Sequence, residues 1–158
     1  MRSLSLNLLL AAVWLLLQSE PSLAGFAAGF ALGFGLLALF QPVLGSADYV
    51  RRMLAGAAFA GVFLREFLLA CGQLIRLALF TPVARLRPDF VEYDVAGLTR
   101  AEVLLLSHCI SLTPGTNTVD ISPDFRRMRL HVLDCPDPDE VRASIDNTLR
   151  RGILAFTR

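Results

Sequence analysis

The chain has 158 residues, 54% hydrophobic and 18% charged, with a formal net charge of +1. It is too short for several domains and too apolar for an ordinary soluble one, and its near-neutral charge gives no electrostatic case for nucleic-acid binding. The apolar excess is concentrated in residues 1–84, where Glu20, Asp48 and Glu66 face Arg2, Arg51, Arg52, Arg65 and Arg76. From Arg85 onward the sequence reads as a charged globular domain.

The run LSLNLLLAAVWLLLQ (4–18) predicts a helix of about four turns, and LAGFAAGFALGFGLLALF (23–40) opens a second, expected over about 23–44. Spanning a hydrocarbon core takes roughly 20 residues, so the first run is marginal and the second nearly sufficient. The link SEPS (19–22) is short enough to make the two an antiparallel hairpin. A cleavable signal peptide ending near SLA (22–24) is the competing reading; the second apolar run, starting where cleavage would end, suits a hairpin better. Gly25, Gly29 and Gly33 fall at four-residue spacing on one face of the second helix. Small residues so placed let a partner helix approach closely where lipid supplies no hydrophobic drive; the alternative is simple tolerance of glycine in membrane helices.

A third helix is expected over about 50–80, interrupted by Arg65, Glu66, Gln73 and Arg76. At about 100° per residue Arg65 and Arg76 lie within about 20° of each other, with Arg51 about 40° away, so they form a polar stripe. An Arg at mid-bilayer costs about 2.5–3.5 kcal/mol. The helix therefore either lies in the interface with its guanidinium groups snorkelling, or spans with the stripe packed on another subunit. Arg2, Arg51 and Arg52 belong on the cytoplasmic side of a hairpin. A third full span would carry Arg85, Arg87 and the tail outside, and an interfacial third helix keeps them inside, which is the preferred expectation.

In the tail, FVEYDV (90–95) alternates as a half-exposed strand with Val91, Tyr93 and Val95 on one face. Thr99 and Glu102 have capping-box spacing before VLLLSHCISL (103–112), a helix apolar almost all round and expected to be buried, against its own sheet or a neighbour. Pro114 stops it, Gly115 gives the exit its backbone freedom, and a strand begins at Thr116, with Val119 and Ile121 expected on one face and Thr118 and Asp120 on the other. SPDF (122–125) is turn chemistry, and MRLHVLD (128–134) completes a hairpin. Asp137 and Pro138 then cap and open a last helix with Val141, Ile145 and Leu149 as its apolar stripe. The expected fold is a helical membrane anchor over 1–84, a two-helix hairpin plus a third membrane-associated helix, followed by a small α+β domain over 85–158 of order β-α-β-β-α.

No nucleophile, base and orienter fall into a catalytic pattern, and no Gly-rich phosphate loop follows a strand. Cys71, Cys109 and Cys135 are odd in number and lack a CxxC pair, so no metal site, cofactor or disulfide framework is expected. His108 reads as a hydrogen-bonded core residue and His131 as solvated. Thr113, Thr116, Thr118 and Asp120 offer oxygens that a cation site would need converged on one point, and a strand sends them to opposite faces. Glu66 is the one carboxylate among apolar residues, a functional hypothesis by default, against which stands an ion pair with Arg65 or with an arginine of a neighbouring subunit.

ISLTPGTNTVDIS (110–122) followed by LHVLDCPDPDEV (130–141), after short membrane helices and REF (65–67), resembles the E-type subunits of the multisubunit Mrp-type, also called Mnh or Pha, cation/proton antiporters. The chain departs from the family's usual pattern at His108, where Asn is common, and at Cys71 and Gly72, where Ser-Asn is common. The resemblance implies a bacterial multi-pass membrane protein with a cytoplasmic C-terminal domain. It implies partnership with the other antiporter subunits and the bilayer, and an accessory role in assembling a complex that exchanges Na⁺ or another monovalent cation for H⁺. An ion- or ligand-sensing regulatory module is the alternative.

Overall fold

The computed structural model describes residues 2–158. The fold is mostly helical with a small three-stranded sheet. It separates into two compact units, one ending at Leu54 and one running from Ala55 to Arg158.

In the first unit, α1 (Arg2–Leu16) and α2 (Leu23–Leu39) pack together. Ser22 begins α2 by accepting the Gly25 N–H at 3.0 Å. The glycine row Gly25, Gly29 and Gly33 is buried while Leu23, Leu32, Leu36 and Leu39 stand exposed, small residues inward and leucines outward, as lipid-facing helices require. The helix that meets the glycines is the chain's own α1. A Cβ at Gly29 would lie 2.8 Å from Cβ of Trp14, and one at Gly33 would lie 2.2 Å from Oδ1 of Asn7. Asn7 is fully buried and donates from Nδ2 to the Tyr49 hydroxyl at 2.7 Å.

The second helix ends earlier than its apolar run suggests. Pro42 has no N–H to continue the ladder, so α2 stops at Leu39, a single turn α3 (Gln41–Leu44) follows, and Gly45 closes it with φ +61°. The break strands the Leu37 carbonyl, which the Ser46 hydroxyl satisfies at 2.6 Å. Helix α4 (Ala47–Phe80) then runs 34 residues and is the described helix long and apolar enough to cross a membrane. At 1.5 Å per residue it is about 51 Å long; α1 and α2, at 15 and 17 residues, fall short of the membrane-crossing length.

In the second unit, β1 (Asp89–Asp94), β3 (Arg127–Val132) and β2 (Thr116–Ile121) form an antiparallel sheet in the order β1-β3-β2. Helix α5 (Arg100–Leu112) lies between β1 and β2 in sequence, and α6 (Pro138–Ile145) follows β3. A π-helical turn, Asp146–Arg150, carries α6 into α7 (Arg151–Thr157). The core joins Val91, Tyr93, Met128 and Leu130 of the sheet to Val103, Leu106 and Ile110 of α5 and to Ile145, Leu149 and Ile153. Phe59 and Phe63 of α4 pack against it, Phe59 lying 5.6 Å from Phe156 between ring centroids.

Two expectations need correction. His108 is not a core residue: it stands exposed on α5 beside Leu104 and Leu112, with its Nδ1 2.6 Å from the Leu104 carbonyl oxygen, so that within this chain α5 is covered on one side. A single sheet layer covers one side of a helix, and nothing in the described chain covers the other. The alternation in β2 also fails, because the register shifts between Thr118 and Asp120. Val119 bulges outward, so Thr118 and Ile121 pair with the inward residues Leu130 and Met128, and Asp120 pairs with the outward Arg129.

Candidate functional site

The helix-to-strand junction at residues 113–116 is held by its own hydroxyls. The last carbonyls of α5 have no intrahelical partner. Thr113 Oγ1 donates to the Cys109 carbonyl at 2.9 Å, and Thr116 Oγ1 donates to the Ile110 carbonyl at 2.8 Å and the Thr113 carbonyl at 3.1 Å. Pro114 ends the helical pattern, and Gly115 takes φ +92°, a conformation costly for a side-chain-bearing residue. Its carbonyl accepts the Leu133 N–H at 2.9 Å, tying the turn to the end of β3. Thr118 donates from Oγ1 toward the Ser107 carbonyl at 3.4 Å, and Asp120 lies on the opposite face. The Thr113, Thr116 and Thr118 hydroxyls thus donate to helix carbonyls, and Asp120 stands on the other face of the strand from Thr118.

Seen from outside, the same junction lines an open cleft of about 830 Å³ in the second unit, with Glu66, Leu69, Gln73, Arg76 and Leu77 of α4 as one wall. Asp134, Asp137, Glu140, Val141 and Leu149 close the other side. The structure therefore gathers Glu66, Arg76, Thr113, Pro114, Gly115 and Thr116 on one cleft. Arg65 points elsewhere on α4 yet holds Glu66, donating from Nη1 to Oε1 at 2.6 Å. Gly25, Gly29 and Gly33 lie in the first unit, in the α1–α2 contact.

Two polar groups make contacts beyond those the sequence indicated. Glu102 is 4% exposed and does more than cap: it accepts the Thr99 N–H at 2.7 Å, the Thr157 hydroxyl at 2.7 Å, and the Arg158 guanidinium. Burial works to raise its pKa, but the bonds from Thr99, Thr157 and Arg158 outweigh it and hold the carboxyl at about 2. Tyr93, buried beneath the π turn, donates its hydroxyl to Asp146 at 2.6 Å; burial first, and that bond second, push its phenol well above the usual range. The distant partners could not be read locally, since Thr157 and Arg158 stand more than fifty positions from Glu102, and Asp146 more than fifty from Tyr93. Asn7 had a signal, a lone amide in LSLNLLL.

A glycine-packed pair of apolar helices and a small α+β sheet domain thus flank a 34-residue helix long and apolar enough to cross a membrane. The chain belongs to the Na⁺/H⁺ ion antiporter subunit family, whose model matches residues 7–156. It is 31% identical over 153 residues to the E-type Na⁺/H⁺ antiporter subunit of Alkalihalophilus pseudofirmus, covering 97% of this chain and 96% of that protein. It is 29% identical, with the same coverage, to the corresponding E-type subunit of Bacillus subtilis. Among solved structures it resembles a chain of the Mrp complex from Dietzia sp. DQ12-45-1b, with TM-score 0.51 and 30% identity over 65% of this chain and 94% of that one. A chain of the membrane-bound sulfane sulfur reductase, an archaeal respiratory membrane complex, shares the fold at TM-score 0.56 and 21% identity over 96% and 98% of the two chains.

Proposed function

We propose that the chain is an accessory, structural subunit of a multisubunit antiporter exchanging Na⁺ or another monovalent cation for H⁺, supporting assembly and stability while larger subunits carry transport. Family membership over nearly the whole chain is the observation that carries this reading. The distribution of ionisable groups supports it. A transport path needs several such groups lined up across the bilayer and covered from lipid. The apolar runs of α1 and α2 contain none, and the apolar stretch of α4 offers Arg65, Glu66 and Arg76, of which the first two already pair.

The same reading sets the finer organisation. Residues 1–84 form a multi-pass anchor in the bacterial cell membrane, with the α1–α2 hairpin and α4 as its parts. Residues 85–158 form a cytoplasmic domain of order β-α-β-β-α. The arginines at 51, 52, 85 and 87 flanking the apolar segments support this orientation. The chain is then a transport component rather than an enzyme.

Reconstitution tests the reading. The purified chain in liposomes under an imposed pH gradient gives no sodium-dependent dissipation above that of empty vesicles, whereas the complex recovered with its other subunits does. Exchange by the chain alone overturns the assembly role and makes Glu66 the first residue to test as a proton carrier.

A further inference from the structure

We propose that the open cleft between α4 and the α+β domain receives an amphipathic helix of a neighbouring antiporter subunit, one carrying arginine or lysine beside its apolar side chains. This rests on the subunit reading above and names the surface that the partner would use.

Charge selects the occupant. Asp134, Asp137 and Glu140 line the cleft from the domain side and Glu66 from α4, against the single cation Arg76. The hydrogen bonds of these carboxylates leave most of the charge in place. Asp134 accepts the Arg87 backbone N–H at 3.3 Å and Asp137 the Asp139 backbone N–H at 2.9 Å, and a backbone amide supplies no counter-charge. Among the described residues Glu140 has no partner, and only Glu66 is neutralised by a guanidinium, that of Arg65. A neutral acyl chain would bury this excess uncompensated, and an anionic headgroup would be repelled by it. A basic side chain answers it with charge-assisted bonds.

Shape selects a helix. Glu66, Leu69, Gln73, Arg76 and Leu77 follow one another at short helical spacing along α4, a ridge about three turns long of the kind into which a second helix packs. Leu69 is 48% exposed on that ridge, an apolar surface open to a partner. Gly72 lines the same wall, and a Cβ added there meets no atom within 4 Å. A side chain at that position would project into the cleft without disturbing the chain's own packing.

That last feature supplies the test. The tagged full-length chain is co-expressed with its antiporter subunits and extracted in detergent, and the subunits recovered with it are identified and quantified by mass spectrometry. Gly72→Leu and Glu140→Arg each lower subunit recovery about tenfold, with far-UV circular dichroism unchanged and the thermal midpoint of the chain not lowered. Gly61→Leu, a matched change at an equally open α4 glycine outside the cleft, retains the subunits. Wild-type recovery in both cleft variants overturns the assignment, as does an equal loss in Gly61→Leu. Release of bound phospholipid by Gly72→Leu with every subunit retained also overturns it, in favour of lipid. If the unaltered chain recovers no antiporter subunit, the subunit reading itself falls and the cleft assignment falls with it, a failure distinct from intact recovery in the variants.

Discussion

Trp14 Cβ is fixed to the α1 backbone, so the 2.8 Å clash that a Cβ at Gly29 would create cannot be relieved by turning a rotamer, and the two helices must part. Gly29→Ala is expected to destabilise the hairpin by about 1–3 kcal/mol, read as a lower thermal midpoint in detergent. Gly35→Ala, where a Cβ meets nothing within 4 Å, leaves the midpoint in place or raises it. Glu102 sets a pH dependence at the same scale. Its pKa falls from an ordinary 4.5 to about 2 on folding, so its contribution is complete above about pH 4.5 and is lost as pH falls toward 2. The shift is worth about 3 kcal/mol. Thermal unfolding between pH 2 and 7 should therefore show a fall in stability through that window, and Glu102→Gln should flatten it while lowering stability at neutral pH. An unchanged acid limb in the variant would assign the fall to other carboxylates.

At the scale of elements, local chemistry was legible where both partners are close in sequence. Thr99 and Glu102 do make a reciprocal capping box, and Asp137 caps α6 with Pro138 behind it. Val91, Tyr93 and Val95 are buried together as their alternation indicates. The bulge at Val119 was not legible, because TNTVDI alternates whether or not one residue is extruded and only pairing with β3 decides it. Nor was the treatment of the sheet edge: the guanidinium groups of Arg142 and Arg150 donate to the Glu92 and Asp94 carbonyls of β1 at 2.9 and 3.1 Å, occupying a strand edge that would otherwise invite another chain. The junction gives a prediction at this scale. Gly115→Val forces a β-branched residue to φ +92° and should cost a few kcal/mol. Thr116→Val loses hydrogen bonds to two carbonyls and should cost about 1 kcal/mol. Thermal midpoints in detergent rank the two; a Thr116→Val protein of normal stability that abolishes transport in the assembled complex would make that hydroxyl an ion ligand.

For the whole molecule, a single labelling experiment tests orientation. Val119 is 53% exposed on its bulge, so Val119→Cys places a reactive thiol on the tail surface, whereas Cys109 and Cys135 are buried. With the domain cytoplasmic, a membrane-impermeant thiol reagent leaves Val119→Cys at the wild-type level in intact cells and labels it after permeabilisation. Labelling from outside reverses the topology and places α4 as a full span from a cytoplasmic start. The arginines beside the apolar segments favour the first outcome.

The sequence by itself determined what short-range physics controls: a lipid-preferring first half, the glycine row, the helix starts and stops at Thr99, Pro114 and Asp137, the inward face of β1, and the motif that marks the family. Periodicity, propensity and capping act over a few residues and are readable there. Only the tertiary structure decided that the glycine row meets α1, that α5 leaves His108 in solvent, and that Glu102 holds Thr157 and Arg158. It alone brought Glu66 and Arg76 to the same cleft as Thr113–Thr116 and Asp134. Those facts join residues tens of positions apart, and which distant groups meet is fixed by how the apolar faces pack together, a property no local stretch of the chain contains.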